Sequence, residues 1–291
     1  SKIMKSILNI DGFSIKKTLN IKGNLIDLSN PIIMGILNLT PDSFYDGDLF
    51  NDKKKALLKV EKMIDEGADI IDVGGCSTRP GAEIVSEEEE WNRIEDIIQS
   101  IRKSFPDIII SIDTFRSTIA NKSFDIGADM INDVSGGTFD KKMYSVVGEL
   151  GLPYILMHSR GNPKSMKNLT NYDNILEDIT LYFSEKIQLL QLNGVKDIII
   201  DPGFGFAKTF DQNLTILNNL NYFTILDLPI LVGISRKSFV QKKFNVSIEN
   251  SLNASVQLNK TALENHASIL RVHDVKETKI MLEEFIINSK E

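Results

Sequence analysis

The sequence predicts an α/β fold, a (β/α)8 TIM barrel preceded by a short hairpin-like N-terminal extension. Three observations carry the prediction. Eight short runs rich in β-branched residues recur along the chain, and amphipathic helical segments lie between them. Nearly every run also closes on a polar or charged residue. Runs that are apolar throughout are the mark of strands buried on both faces, as in parallel sheets. A doubly wound sheet is the alternative, but eight repeats of one rhythm favour closure.

Residues 1–30 come first. "SILNI", "FSIKK" and "NLIDL", with Asp11-Gly12 and Lys22-Gly23 between them, read as a small hairpin capping the barrel bottom. Residues 31–291 read as one barrel domain. Its strand runs are "PIIMGILN" (31–38), "DIIDVG" (69–74), "DIIISID" (107–113), "DMINDVS" (129–135), "PYILMH" (153–158), "DIIIDPG" (197–203), "PILVGIS" (229–235) and "SILRVH" (268–273). Between them, residues 53–67 place Ala56, Leu57, Val60, Met63 and Ile64 on one helical stripe, with Gly67 as its stop. Residues 86–105 open on Ser86 as N-cap, and "SEEEEW" reads as a solvated helix start. Residues 117–127 and 174–194 have similar helical character.

Composition narrows the function. The 291 residues are 42% hydrophobic and 25% charged, ordinary for a globular chain, and carry a net charge of −7. That balance argues against nucleic acid as a partner, so any anionic substrate needs a local basic cluster. The single cysteine points to a reducing compartment. No apolar run reaches membrane-spanning length, and "SKIMKSILNIDGFSIKK" is too polar for a signal peptide. The cytoplasm is the expected location, with no membrane partner.

The strand ends carry Asn38, Asp72, Arg79, Asp113, Asn132, Asp133, His158, Asp201, Arg236, Lys237, Arg271 and His273. Burying such groups in a barrel mouth is costly unless they have partners, so one functional site there is expected. Asp113, Asn132 and Asp201 offer the acceptors that suit a flat heterocycle with amino and ring N–H donors. Lys237 is placed to donate to a ring carbonyl. Arg271 and His273, on alternate residues of one strand, face the same way. Beside Asn38 they suit an anion such as a diphosphate, with Mg2+ on the Asn38 oxygen.

The motifs "MGILNLTPDSFYDGD", "DVGGCSTRPGA", "SIDTFR", "INDVSGG", "DPGFGFAKT", "GISRKSF" and "RVHDV" resemble the dihydropteroate synthase family. They run from residue 34 to 275. The resemblance implies a homodimeric transferase of folate biosynthesis. It joins 6-hydroxymethyl-7,8-dihydropterin diphosphate to 4-aminobenzoate with SN1-like character and is a sulfonamide target. Carried over by motif, Asp113, Asn132, Met157, Asp201, Phe206 and Lys237 bind the pterin. Asn38, Arg271 and His273 hold diphosphate, and Asn38 the Mg2+. Phe44, Thr78, Pro80, Phe206, Lys237 and Ser238 frame the aminobenzoate. Asp46, Arg79 and Lys237 act at the reacting centre. Family members often carry Glu where this chain has Cys76.

Two other readings share the ring-binding residues. One is a methyltransferase acting between methyltetrahydrofolate and a corrinoid; it has no use for the Arg271/His273 pair. The other is a paralogue that binds pterin without turnover. Asp72 reads equally well as a strand-end structural carboxylate and stays outside the catalytic set. His158 reads as structural, and Cys76, with no activating His in its motif, as a small buried hydrophobe. Gly74 and Gly75 read as easing the turn where backbone passes close to a ligand.

Overall fold

The computed structural model describes residues 18–40, 49–235, 237–247 and 252–291. Strands β1 (Thr18–Ile21) and β2 (Asn24–Asp27) pair antiparallel across Lys22-Gly23. The segments "SILNI" and "FSIKK" lie outside the described residues. The eight runs become β3 (Ile32–Asn38), β4 (Ile70–Gly74), β5 (Ile109–Asp113), β6 (Met130–Asp133), β7 (Tyr154–Met157), β8 (Ile198–Asp201), β9 (Leu231–Val232) and β10 (Ile269–Val272). They form one parallel sheet in the order β8-β7-β6-β5-β4-β3-β10-β9. A parallel bridge between Ile200 and Ile230 joins β8 to the start of β9 and closes the ring.

The helices are α1 (Leu49–Asp65), α2 (Glu87–Ser104), α3 (Ser117–Asp125), α4 (Met143–Leu150), α5 (Ile175–Leu192), α6 (Phe210–Asn218), α7 (Ser238–Phe244), α8 (Leu252–Glu264) and α9 (Val275–Asn288). Ser86 caps α2 by accepting the Glu89 N–H at 3.1 Å, as its position predicts. The periodicity marked α1, α2, α3 and α5 but not the rest. Helices α4 and α7 are too short to show a stripe. The inner face of α8 carries Ser255 and Asn259 among its buried residues, which blurs its apolar signal.

Alternation along the strands sorts the core into two regions. Outward residues such as Ile33, Leu37, Ile71, Val73, Ile110, Ile112, Ile131 and Leu156 pack against the helices. Inward residues Met34, Ile70, Met130, Ile155, Ile199, Leu231 and Ile269 meet Leu19, Ile21 and Leu28 in a second buried cluster. These three side chains seat the hairpin, and burying each contributes about 1.5–3 kcal/mol. The Asn20 N–H donates to Asp197 at 3.3 Å, and Lys22 pairs with Asp129 at 3.2 Å. Both carboxylates directly precede strands, so the hairpin lies at the N-terminal end of the barrel.

Two residues further along five of these strands, the same inward face turns polar. Asp72 follows Ile70, Ser111 and Asp113 follow Ile109, Asn132 follows Met130, Asp201 follows Ile199, and Arg271 follows Ile269. Period-two geometry therefore stacks a polar layer directly above the apolar one.

Candidate active site

Arg271, on β10, sits at the centre of the polar layer. Its Nε donates to Asp72 Oδ2 at 2.8 Å and its Nη2 to Asp113 Oδ2 at 3.4 Å. Asp72 is fully buried and accepts two further bonds, from Ser111 Oγ (2.8 Å) and Asn132 Nδ2 (3.1 Å). Register explains the meeting: Asp72 lies beside Ser111 across the β4–β5 pair, and Asp113 beside Asn132 across β5–β6. Burial, with the Asp72 carboxylate beside it, pushes the Asp113 pKa up, and Arg271 opposes the rise. Burial disfavours the Arg271 charge too, but the two carboxylates outweigh it and hold the guanidinium more firmly protonated. Asn132 Oδ1 is buried with no protein partner, which leaves an acceptor for a ligand donor.

Asp201 closes β8 and accepts the Gly203 N–H at 2.9 Å. Burial raises its pKa, against the pull of Lys237. Lys237 lies 4.9 Å above the Phe206 ring and donates to the Phe204 carbonyl at 2.6 Å. Burial draws its pKa down to about 7, with Asp201 opposing. His273 contacts Ser235 through Nδ1 at 3.0 Å. Asn38 is half-buried and lies in register with Gly74, itself beside Asp113. Met157 ends β7, and its carbonyl accepts from Tyr182. Thr78 and Phe206 line one small cleft with Val134, Phe139 and Met166.

The loop after β4 exposes Arg79 and Pro80. The Gly81 N–H donates to the Pro163 carbonyl at 2.6 Å, tying it to the loop after β7. Phe44 and Asp46 lie outside the described residues, as does the side chain of Ser238.

The structure extends some sequence expectations and corrects others. Asp72, kept out of the catalytic set, is the hub that joins β4, β5, β6 and β10. Arg271, assigned to the anion rim alone, is also the counter-charge of two buried carboxylates. Asp133 faces away from the mouth. It accepts from Ser135 N–H (2.9 Å) and Oγ (2.7 Å), Gly137 N–H (3.0 Å) and Tyr154 (2.7 Å), and so organises its loop. "SEEEEW" is not wholly solvated. Glu90 is fully buried and pairs with Arg116 at 2.6 Å, while Arg116 also donates to the Val85 carbonyl. That pair anchors the far end of the β4 loop. A Cβ on Gly75 would lie 2.9 Å from the Glu90 carbonyl, and one on Gly74 would crowd Asp113. The close approach there is to α2 and to the Asp113 side chain.

His158 is buried with its ring 4.7 Å from Tyr182 and 6.0 Å from Tyr172. Burial, with Lys208 and Arg160 nearby, holds its pKa well below the usual range. The Cys76 thiol is also buried, and burial raises its pKa; the backbone at Val85 opposes the rise and Glu90 adds to it. A thiol in that state is a poor nucleophile.

The alternation alone held a signal for Asp72. It shares the inward face of Ile70, so an uncompensated carboxylate there demands a cation from a facing strand.

Comparison with known proteins accounts for this arrangement. A family model described as "Pterin binding enzyme" matches residues 34–273. A dihydropteroate synthase of Clostridium beijerinckii is 47% identical over 248 residues, 84% of this chain and 89% of that protein. The solved structure of the Yersinia pestis dihydropteroate synthase with a sulfonamide drug superposes with a TM-score of 0.89 at 37% identity. It covers 94% of this chain and 100% of that one. The Xanthomonas albilineans dihydropteroate synthase with 4-aminobenzoic acid gives 0.87 at 32% identity, covering 94% and 98%.

Proposed function

The chain belongs to the pterin-binding enzymes, as one of the dihydropteroate synthases, and from that premise we propose how its barrel mouth carries out the reaction. The chain is a transferase of folate biosynthesis. Its substrates are 6-hydroxymethyl-7,8-dihydropterin diphosphate and 4-aminobenzoate, and its products are 7,8-dihydropteroate and diphosphate. The single observation that carries the reading is the polar layer in which Arg271, Asp72, Asp113 and Asn132 meet above an apolar plug.

Asp113, Asn132 and Asp201 take the ring N–H and amino donors of the pterin, and Lys237 donates to its carbonyl. Met157 and Phe206 hold the ring faces. Arg271 and His273 face the diphosphate at the rim. Asn38 would offer one hard oxygen beside them to hold Mg2+. When bound, Mg2+ supplies charge neutralisation to the leaving group. The C–O bond breaks toward the diphosphate and leaves positive charge on the pterin methylene. Asp46 and Arg79 stand beside that charge and the departing anion. The aminobenzoate nitrogen then attacks, and its proton is lost to a group such as the neutral form of Lys237, whose pKa lies near 7. Phe44, Thr78, Pro80, Phe206, Lys237 and Ser238 frame the arylamine, so sulfonamides compete there. A dry, preorganised site does most of this work, with little acid–base chemistry.

Residues 1–30 form the extension and 31–291 the single barrel domain in this reading. No helix among the described residues is long and apolar enough to cross a membrane. A cytoplasmic homodimer completes the proposal.

One assay tests it. Purified protein is mixed with Mg2+, the pterin diphosphate and labelled aminobenzoate, and labelled dihydropteroate is expected. Pterin binding without product would overturn the reading in favour of a binding paralogue. Turnover with methyltetrahydrofolate and a corrinoid would replace it with a methyltransferase.

A further inference from the structure

The loop joining β8 to α6 is folded around a cation that the chain itself supplies. Lys208 is only 8% exposed. Its ammonium donates to the carbonyl oxygens of Phe206 (2.8 Å), Gly203 (2.9 Å) and His158 (3.4 Å). Three donors thus meet three acceptors, the full capacity of an ammonium. Burial holds its pKa well below the ordinary lysine range, with Asp201 opposing. A buried charge without a direct carboxylate partner is costly, and the converging carbonyl dipoles are what compensate it. Those carbonyls would repel one another without a cation between them. Gly203 makes the convergence possible: its φ is +74°, and a Cβ there would lie 2.0 Å from the His158 carbonyl.

The same loop carries substrate contacts on its other side. Phe206 lies between the Lys208 ammonium, which its carbonyl accepts, and Lys237, which sits over its ring. The Phe204 carbonyl accepts from Lys237. One lysine therefore holds the loop from within, and the other rests on its outer face in the site.

We propose that Lys208 is a positioning residue for the arylamine: its ammonium fixes the loop backbone so that Phe206 presents its ring to 4-aminobenzoate. The inference rests on the assignment of Phe206 to the arylamine pocket made above. The pterin shares Phe206 with the arylamine, but it is also held by Asp113 and Asn132, which stand on strands clear of this loop, so it should feel the loss less than the arylamine does.

Steady-state kinetics of Lys208→Met and Lys208→Arg test it, with thermal melts as a check on folding. A misplacement of about 1 Å costs on the order of 100-fold in rate. In Lys208→Met the KM for 4-aminobenzoate should rise about tenfold or more, and that for the pterin diphosphate at most about threefold. Lys208→Arg, which keeps charge and donors, should recover most of the difference. A purely structural lysine would lower the melting temperature and leave both KM values unmoved. That result, or an equal rise in both, would overturn the inference. If Lys208→Met does not fold, Lys208→Gln, whose neutral amide keeps two donors on a shorter stem, replaces it; an unchanged arylamine KM there overturns the inference equally. Wild-type turnover is the control. Its absence would fail the proposed reaction itself, whereas wild-type turnover with unmoved KM values in a folded variant fails Lys208 alone.

Discussion

Arg271→Ala removes a guanidinium that faces two buried carboxylates. Asp72 is fully buried and Asp113 largely so, and they lie 2.8 Å and 3.4 Å from the Arg271 nitrogens. Deleting one partner of a buried pair strands the other, at a cost of about 3–5 kcal/mol. At about 2–4 °C per kcal/mol for a chain of this size, the melting temperature should fall by roughly 6–20 °C. The deficit should depend on pH. With Arg271 gone, the folded state loses the charge that opposes the rise of the Asp113 pKa and holds that carboxyl still further above the ordinary Asp value of 3.8. Between the two values the folded state binds more protons, so stability rises as pH falls. Melts at pH 5 and pH 8 should therefore show the smaller deficit at pH 5. Asp72→Asn in the same background should recover part of the loss. Diphosphate binding by calorimetry should weaken about 10- to 150-fold, the equivalent of about 1.5–3 kcal/mol for a charge-assisted contact. A melting temperature equal to wild type at pH 8, or a deficit identical at both pH values, would refute the placement of Arg271 as their counter-charge.

Three further outcomes are expected. Asp72→Asn removes the like charge that helps raise the Asp113 pKa, so the acidic limb of kcat/KM should move to lower pH; an unmoved limb would remove Asp72 from the network. Lys237→Met should abolish turnover yet match or exceed wild-type stability at neutral pH, by up to a few kcal/mol. The wild-type lysine is held to about 7 in the fold against an ordinary 10.5, so the unfolded state binds more protons between those values. Wild-type stability therefore rises across that window, and the advantage of Lys237→Met in urea unfolding should be smaller at pH 9.5 than at pH 6.5; growth instead would contradict the assignment. Cys76→Ser should keep near-normal turnover, and the native thiol should react with a disulfide reagent far more slowly than after unfolding; complete loss of activity in a folded variant would reopen a catalytic role for Cys76.

The barrel was legible in the chain because its signal is local. Strand runs, the Ser86 cap and the Gly67 stop each depend on a few adjacent residues, and period-two alternation follows from strand geometry wherever it occurs. The polar strand ends were legible for the same reason; Asp72, Asp113, Asn132, Asp201 and Arg271 share the inward face, while Asp133 turns away from it. The short helices, and α8 with its buried Ser255 and Asn259, lacked a clean stripe.

Local pattern could not decide which polar groups face one another. Arg271 and Asp72 are 199 residues apart, and Asp72 and Asn132 are 60 apart. Only barrel closure and strand register bring them within hydrogen-bond distance. The acidic run at 87–90 looks uniform in sequence, yet one of its four carboxylates turns inward to Arg116 because the helix docks there. Lys208 sits in the motif "DPGFGFAKT", where nothing marks it as buried; its partners are carbonyl oxygens, which every residue carries and no sequence distinguishes. The chain by itself determined which chemistry the mouth would hold. Tertiary structure decided which charge answers which, because low-dielectric burial makes each pairing depend on a few tenths of an ångström that the order of residues does not specify.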